Sequence, residues 1–158
     1  MKTTCTDFYG KKHAVDTSSL INRISAYGIY IADDDVLLIQ DPRSLRWELP
    51  GGVESQESIV QGLIREFVEE AGVVPGEQFH LLREWTEYFY DTPSKQGWRA
   101  LRKFYLVDNI ENGDLLLNGN GIDAATAQMI PMKDLGAIDI TLPIKETIHL
   151  AAAHRLSP

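Results

Sequence analysis

A single cysteine, Cys5, stands in the 158 residues, so no disulfide can close within the chain. Long apolar runs are missing too. No stretch approaches the roughly 18 consecutive apolar residues of a membrane span, and the N-terminus, Met1-Lys-Thr-Thr-Cys-Thr-Asp-Phe-Tyr9, lacks the apolar core of a signal peptide. A cytoplasmic protein with no membrane partner is the expectation. Positive charge is scarce: 15 Lys and Arg face 23 Asp and Glu, a formal net charge of -8. Non-specific grip on nucleic acid comes mainly from cations that neutralise phosphates, so no nucleic-acid partner is expected either. Acidity does not exclude a phosphorylated substrate, because a carboxylate cluster that binds divalent cations reverses the local sign.

What is present fits one globular core, with 44% hydrophobic residues and no internal repeat, low-complexity tract or linker. Residues 26–31 and 36–40 are β-rich runs joined through Ala32-Asp-Asp-Asp35, a hairpin pattern. Trp47-Glu-Leu-Pro-Gly-Gly52 breaks into a loop. From Ser58 to Ala71 the apolar positions Ile59, Val60, Leu63, Ile64, Phe67, Val68 and Ala71 follow the helical period, with Ser58 as N-cap and Gly72 as stop. Further strands are expected at 79–90, 101–107 and 127–132. A last helix is expected over 144–155, with Pro143 suited to its start. The fold class is therefore α/β (α+β), a mixed β-sheet flanked by helices. Residues 25–158 form one domain, and residues 1–24 are an extension without an assigned role.

The chemistry concentrates where the loop runs into the helix. With about 100° of rotation per residue and Glu66 at zero, Glu70 falls near ~+40° and Glu69 near ~-60°, opposite the apolar face. Two carboxylates about 4 Å apart repel by roughly 4 kcal/mol at an effective dielectric of 20, so such clustering is costly unless a cation sits between them. Hard oxygen donors of this kind suit Mg²⁺ or Mn²⁺. Gly62 lies on the acidic face, where its missing side chain leaves room. Taken singly, each feature has a plainer explanation. An acidic stripe is usually a solvated face, Gly51-Gly52 an ordinary turn, Arg65 the partner of a nearby acid, and Glu57 a first-turn acid favoured by the helix dipole. Their joint spacing is what changes the reading.

That spacing, Gly51, five residues, Glu57, seven residues, then Arg65-Glu66-Phe67-Val68-Glu69-Glu70-Ala71-Gly72-Val73, resembles the Nudix box at every defined position. The resemblance implies the Nudix fold, a mixed sheet sandwiched between helices, and a metal-dependent hydrolase. Such an enzyme cleaves the diphosphate linkage of a nucleoside diphosphate joined to another group. It implies Glu66, Glu69 and Glu70, with the Gly51 carbonyl, as ligands of Mg²⁺ or Mn²⁺. It also implies Glu69 as an alternative base, and Glu57 with Arg65 as the pair that orients the glutamates. The loop before Glu57 is one residue shorter than the commoner pattern, and Gln56 stands where glycine is usual. An acid beyond the box is often recruited as ligand or base; Glu84, Glu87, Asp114 and Asp123 are candidates, and Asp123 is the choice.

Substrate residues do not carry over from the box. Tyr88 and Tyr90 are candidates for stacking a base, as in diadenosine polyphosphate hydrolases, although an aromatic strand is more often core. Arg43, Arg46, Lys95, Arg99, Arg102 and Lys103 are candidate phosphate contacts, Arg46 foremost. The expected partner is a nucleotide-type small molecule: a nucleoside triphosphate, a dinucleoside polyphosphate or a nucleotide sugar. A homodimer is the assembly to test. The alternative is a non-catalytic, nucleotide-sensing domain of the same family; such domains usually lose box acids, and none is lost here. Isopentenyl diphosphate isomerisation is set aside, because it calls for a core cysteine and Cys5 is near the N-terminus.

Overall fold

A computed structural model describes residues 1–155. The chain separates into two compact units, residues 1–25 with 84–103 and residues 26–83 with 104–155. Three strands pass from one unit into the other: β3 (Ile21–Ile29), β8 (Phe79–Asp91) and β9 (Gln96–Val107).

In the first unit, β1 (Lys2–Thr6) and β2 (Lys12–Asp16) form an antiparallel hairpin in a sheet of order β2-β1-β8-β9-β3. The stretch assigned no role from sequence is thus strand. Its sequence hid this: burial alternates along residues 2–6, but Cys5 is the only apolar residue among them, so no alternation of apolar and polar types marks the strand. Asp7 closes the hairpin, accepting from the backbone N–H groups of Tyr9 and Lys11 and bonding His13 Nε2 at 2.8 Å. Burial pushes the Cys5 thiol above its ordinary pKa.

In the second unit, β4 (Ile31–Ala32) and β5 (Asp35–Gln40) pair across Asp33 and Asp34, whose φ angles of 47° and 66° suit a tight primed turn. β6 (Trp47–Glu48) pairs with β5, and β11 (Thr126–Pro131) pairs with it on the other edge. β7 (Val73–Pro75) and β10 (Ile110–Gly113) form a separate two-stranded ribbon. α1 (Ile59–Glu66) starts in a capping box, in which Ser58 accepts from Gln61 N–H and the Gln61 side chain accepts from Ser58 N–H. Sequence periodicity runs this helix as one α-helical piece to Ala71. Instead Phe67–Ala71 is a π-helical turn, and Gly72, at φ 80°, donates back to the carbonyls of both Phe67 and Val68. Its core side packs Phe67 and Ala71 with Leu37, Ile39, Val73, Val107, Ala124 and Ala127. α2 (Leu142–Arg155) ends the described chain, beginning two residues before the expected start. Among the described residues no helix is long and apolar enough to cross a membrane.

Candidate functional site

Three carboxylates converge in the second unit: those of Glu66 and Glu70 from the box helix and of Asp123 from the loop before β11. Each offers an oxygen, and these oxygens all lie within 4.8 Å of one another. The acidic face that the helical period places opposite the core is not uniformly open to solvent. Glu70 is only 7% exposed, whereas the Glu69 side chain is 52% exposed. The π-helical turn accounts for the split, because its wider hydrogen-bonded loops break the 100° wheel on which the three glutamates were neighbours. Glu66 and Glu70 turn to Asp123, and Glu69 turns outward.

Burial, opposed by the bond from Gly51 and reinforced by the nearby charges of Glu66, Asp123 and Glu48, pushes the Glu70 carboxyl up to about 8. That bond runs from the Gly51 N–H to Glu70 Oε2 at 3.0 Å. Gly51 is placed for it by a bridge to Tyr27 and by the neighbouring bond from Gly28 N–H to the Pro50 carbonyl. Burial also raises Glu66, opposed by Arg65. A cluster of three carboxylates so close together could hold a cation between them. Its all-oxygen donor set fits a hard divalent ion such as Mg²⁺ or Mn²⁺.

Arg65 is the hub beside this cluster. Its Nη2 and Nε donate to Glu57 at 2.7 and 3.2 Å, and its Nη1 donates to Glu66 at 2.9 Å and to Glu69 at 3.0 Å. The forked guanidinium fixes three acids at once, which the point charge of lysine would not do. The Arg65 side chain holds Glu57 below the usual carboxylate range, helped by the Glu54 N–H at 2.6 Å. Gln56, at φ 80°, occupies a left-handed turn, which is the physical reason glycine is usual at that place.

Gly62 does not leave room for a ligand. A Cβ there would lie 2.7 Å from the Gly52 carbonyl oxygen and 2.9 Å from Glu57 Oε1, so the gap is filled by the loop itself. Helix propensity alone makes Gly62→Ala stabilising by about 1 kcal/mol. The packing reverses the expectation: the variant should melt at a lower temperature and turn over more slowly, because the loop and Glu57 must move. A melting temperature above wild type would contradict this account.

Sequence reasoning passed over Asn120 and Glu48. Asn120 Oδ1 accepts from the N–H groups of Ile122, Asp123 and Ala124, while its Nδ2 donates to the Glu69 carbonyl at 2.9 Å and to Asp123 Oδ1 at 2.6 Å. It therefore shapes the loop and ties it to the box helix. The available signal was its place between Gly119 and Gly121, since asparagine among glycines commonly bonds its own backbone. Partners that orient a ligand are typically worth 10- to 100-fold in metal affinity. Asn120→Ala should accordingly weaken divalent-ion binding by about tenfold or more, read by calorimetric titration. Unchanged affinity would reduce Asn120 to a loop residue.

Several of the other candidates make ion pairs of their own. Arg46 Nε lies 3.5 Å from Asp139, Arg43 pairs with Asp41, Arg102 with Glu87 and Lys103 with Glu84. Asp114 is exposed. Tyr88 and Tyr90 belong to the first unit, where one face of the Tyr90 ring is stacked on His13 at 3.9 Å and 9°. Tyr88 is 36% exposed.

The sequence model of the NUDIX domain family matches residues 22–151. An uncharacterised Nudix hydrolase of Bacillus subtilis (strain 168), YvcI, is 52% identical over 42 residues, which are 26% of this chain and 27% of that protein. The match thus spans about a quarter of that relative's length. A MutT NUDIX hydrolase from Burkholderia pseudomallei superposes with a TM-score of 0.63 at 20% identity, covering 82% of this chain and 98% of that one. The NUDIX domain of Shewanella oneidensis NrtR, solved with ADP ribose, gives 0.61 at 18% identity over 90% and 94%. At such identities the likeness is one of fold.

Proposed function

The chain belongs to the Nudix family, and from that premise we propose that it is a metal-dependent pyrophosphohydrolase cleaving the diphosphate linkage of a nucleotide derivative. The observation that carries this reading is the convergence of Glu66, Glu70 and Asp123 beside an intact Arg65–Glu57 pair. Glu66, Glu70 and Asp123 would hold the ion, with Gly51 close by through its bond to Glu70. A bound divalent cation supplies neutralisation of the diphosphate charge and a water acidic enough to attack near neutral pH. The residues of the chain provide placement. Arg65 restrains Glu66 and keeps Glu69 beside the cluster, and the outward carboxylate of Glu69 is suited to accept a proton from water. Its exposure favours that task over ligation. Relatives that act on or bind nucleotides, among them the NrtR domain with ADP ribose, support a nucleotide-type substrate. Sensing without turnover is the weaker reading, because every box acid is kept.

A panel of nucleoside triphosphates, dinucleoside polyphosphates, nucleotide sugars and ADP ribose, with products identified by mass, tests the assignment and locates the bond cut. Turnover should vanish in EDTA and return with Mg²⁺ or Mn²⁺ but not with Na⁺. Full activity in thoroughly chelated enzyme would sink the mechanism.

A further inference from the structure

The formal charge of -8 is unevenly divided. The first unit carries eight Lys and Arg against five Asp and Glu, a net of +3, whereas the second carries seven against eighteen, a net of -11. All five acids of the first unit are engaged. Asp7 holds the hairpin turn and His13, Asp16 binds Ser18, Asp91 binds Ser94, Glu84 pairs with Lys103 and Glu87 with Arg102. Arg23 and Arg99 are left exposed, with no ion pair among the described residues. They line the same groove.

That groove has a volume of about 430 Å³ and is bounded by Arg23, Arg99, Asn22, Thr86, Ile24 and Leu101. The volume falls within the few hundred to a thousand Å³ typical of small-molecule sites. One exposed arginine is ordinary. Two unneutralised guanidiniums beside one concavity repel each other, and the arrangement becomes favourable when an anion enters. Guanidinium forks match phosphate oxygens bidentately, and the Asn22 amide and Thr86 hydroxyl add neutral donors. Ile24, 48% exposed, and Leu101 supply an apolar wall for the rest of a ligand. The unit that carries the groove has a net charge of +3 of its own, which suits an anion at close range.

We infer that the first unit carries a binding groove for a phosphate monoester of nucleotide size, held by Arg23 and Arg99. The groove is built from first-unit residues alone, contains no box residue and needs no metal. Binding of AMP to the full-length protein in EDTA, followed by calorimetry and by amide chemical shifts, tests this. The wild-type protein and Glu70→Gln should bind AMP alike. The Arg23→Ala/Arg99→Ala double variant should bind at least tenfold more weakly with its melting temperature unchanged. Lys11→Ala/Lys12→Ala, which removes the same charge from the same unit, should change affinity less than threefold. No AMP binding by the wild type would overturn the groove, as would equal binding by the arginine variant. Equal losses in the lysine and arginine variants would also overturn it, leaving only a diffuse positive field. If the arginine variant failed to fold, the Arg23 and Arg99 side-chain resonances of the wild type on AMP addition would decide: shifted resonances support the site, unmoved ones overturn it. Because none of these measurements involves turnover, failure of the hydrolase assignment would leave them intact.

Discussion

Replacing Glu70 by glutamine is expected to lower kcat at least about a hundredfold, some ~2.7 kcal/mol at 1.36 kcal/mol per decade, while stabilising the metal-free protein at pH 8. The substitution keeps the shape of the side chain and an oxygen to accept from Gly51 N–H. It removes the charge that the cluster requires for a cation. Glutamine resembles the protonated acid, so the variant imitates the form Glu70 adopts without metal. A near-normal kcat together with a lower metal-free melting temperature would mean that the buried acid is structural and that the hydrolase reading fails.

The same group sets a pH dependence with a definite sign. In the folded protein Glu70 titrates at about 8, above the ordinary 4.5 that applies to the unfolded chain. Between those values the native state keeps a proton that the unfolded state has released, so metal-free stability falls as pH rises through this window. The contribution is complete below about pH 4.5 and gone above about pH 8. At 1.36 kcal/mol per unit it amounts to a few kcal/mol, shared with the coupled charges of Glu66 and Asp123. Chemical denaturation across that range should show the slope in the wild type and a flatter profile in Glu70→Gln. Saturating Mg²⁺ should restore stability at pH 8, since a ligand that binds only the native state at a hundred times its Kd adds ~2.7 kcal/mol. A wild-type profile rising from pH 5 to 8 in EDTA would contradict the burial of Glu70.

Phe67→Ala should do the opposite, removing stability and sparing the ligands. Phe67 is fully buried, and its ring lies against Gly28, where even a Cβ would collide with it. Around it stand Leu37, Ile39, Val107 and Ala127 from strands that cannot collapse inward without breaking their pairing. The cavity should therefore persist at a cost of ~3–5 kcal/mol, roughly 10 °C or more in Tm for a chain of this size. Below the new transition the folded fraction should retain divalent-ion binding, because Glu66, Glu70 and Asp123 are untouched. A loss of metal affinity larger than the loss of folded protein would show that Phe67 also sets the course of the π-helical turn.

Local chemistry alone fixed a large part of this protein. Ser58 with Gln61, and Gly72 in the left-handed conformation, mark the ends of the box helix, because caps satisfy backbone groups within a few residues of themselves. Asp33 and Asp34 place the β4–β5 turn, and the box spacing puts Glu57, Arg65, Glu66, Glu69 and Glu70 within one loop and one helix. These are short-range consequences of residue type and period. What the sequence left open depended on groups distant along the chain. Asp123 was chosen from the sequence through the resemblance alone; its approach to Glu66 and Glu70 goes with the bond from Asn120 to the Glu69 carbonyl, and the burial of Glu70 goes with the widened helical turn and the Gly51 N–H that bonds it. Gly62 was read as space and proved to be contact, since the carbonyl that fills it belongs to another segment. The hairpin of residues 2–16 escaped notice for a related reason: its strands bury almost nothing themselves and are ordered by their neighbours in the sheet. Desolvation, charge crowding and strand partnership are properties of converging segments, so the sequence determined which carboxylates were available and the tertiary structure decided which of them share one site.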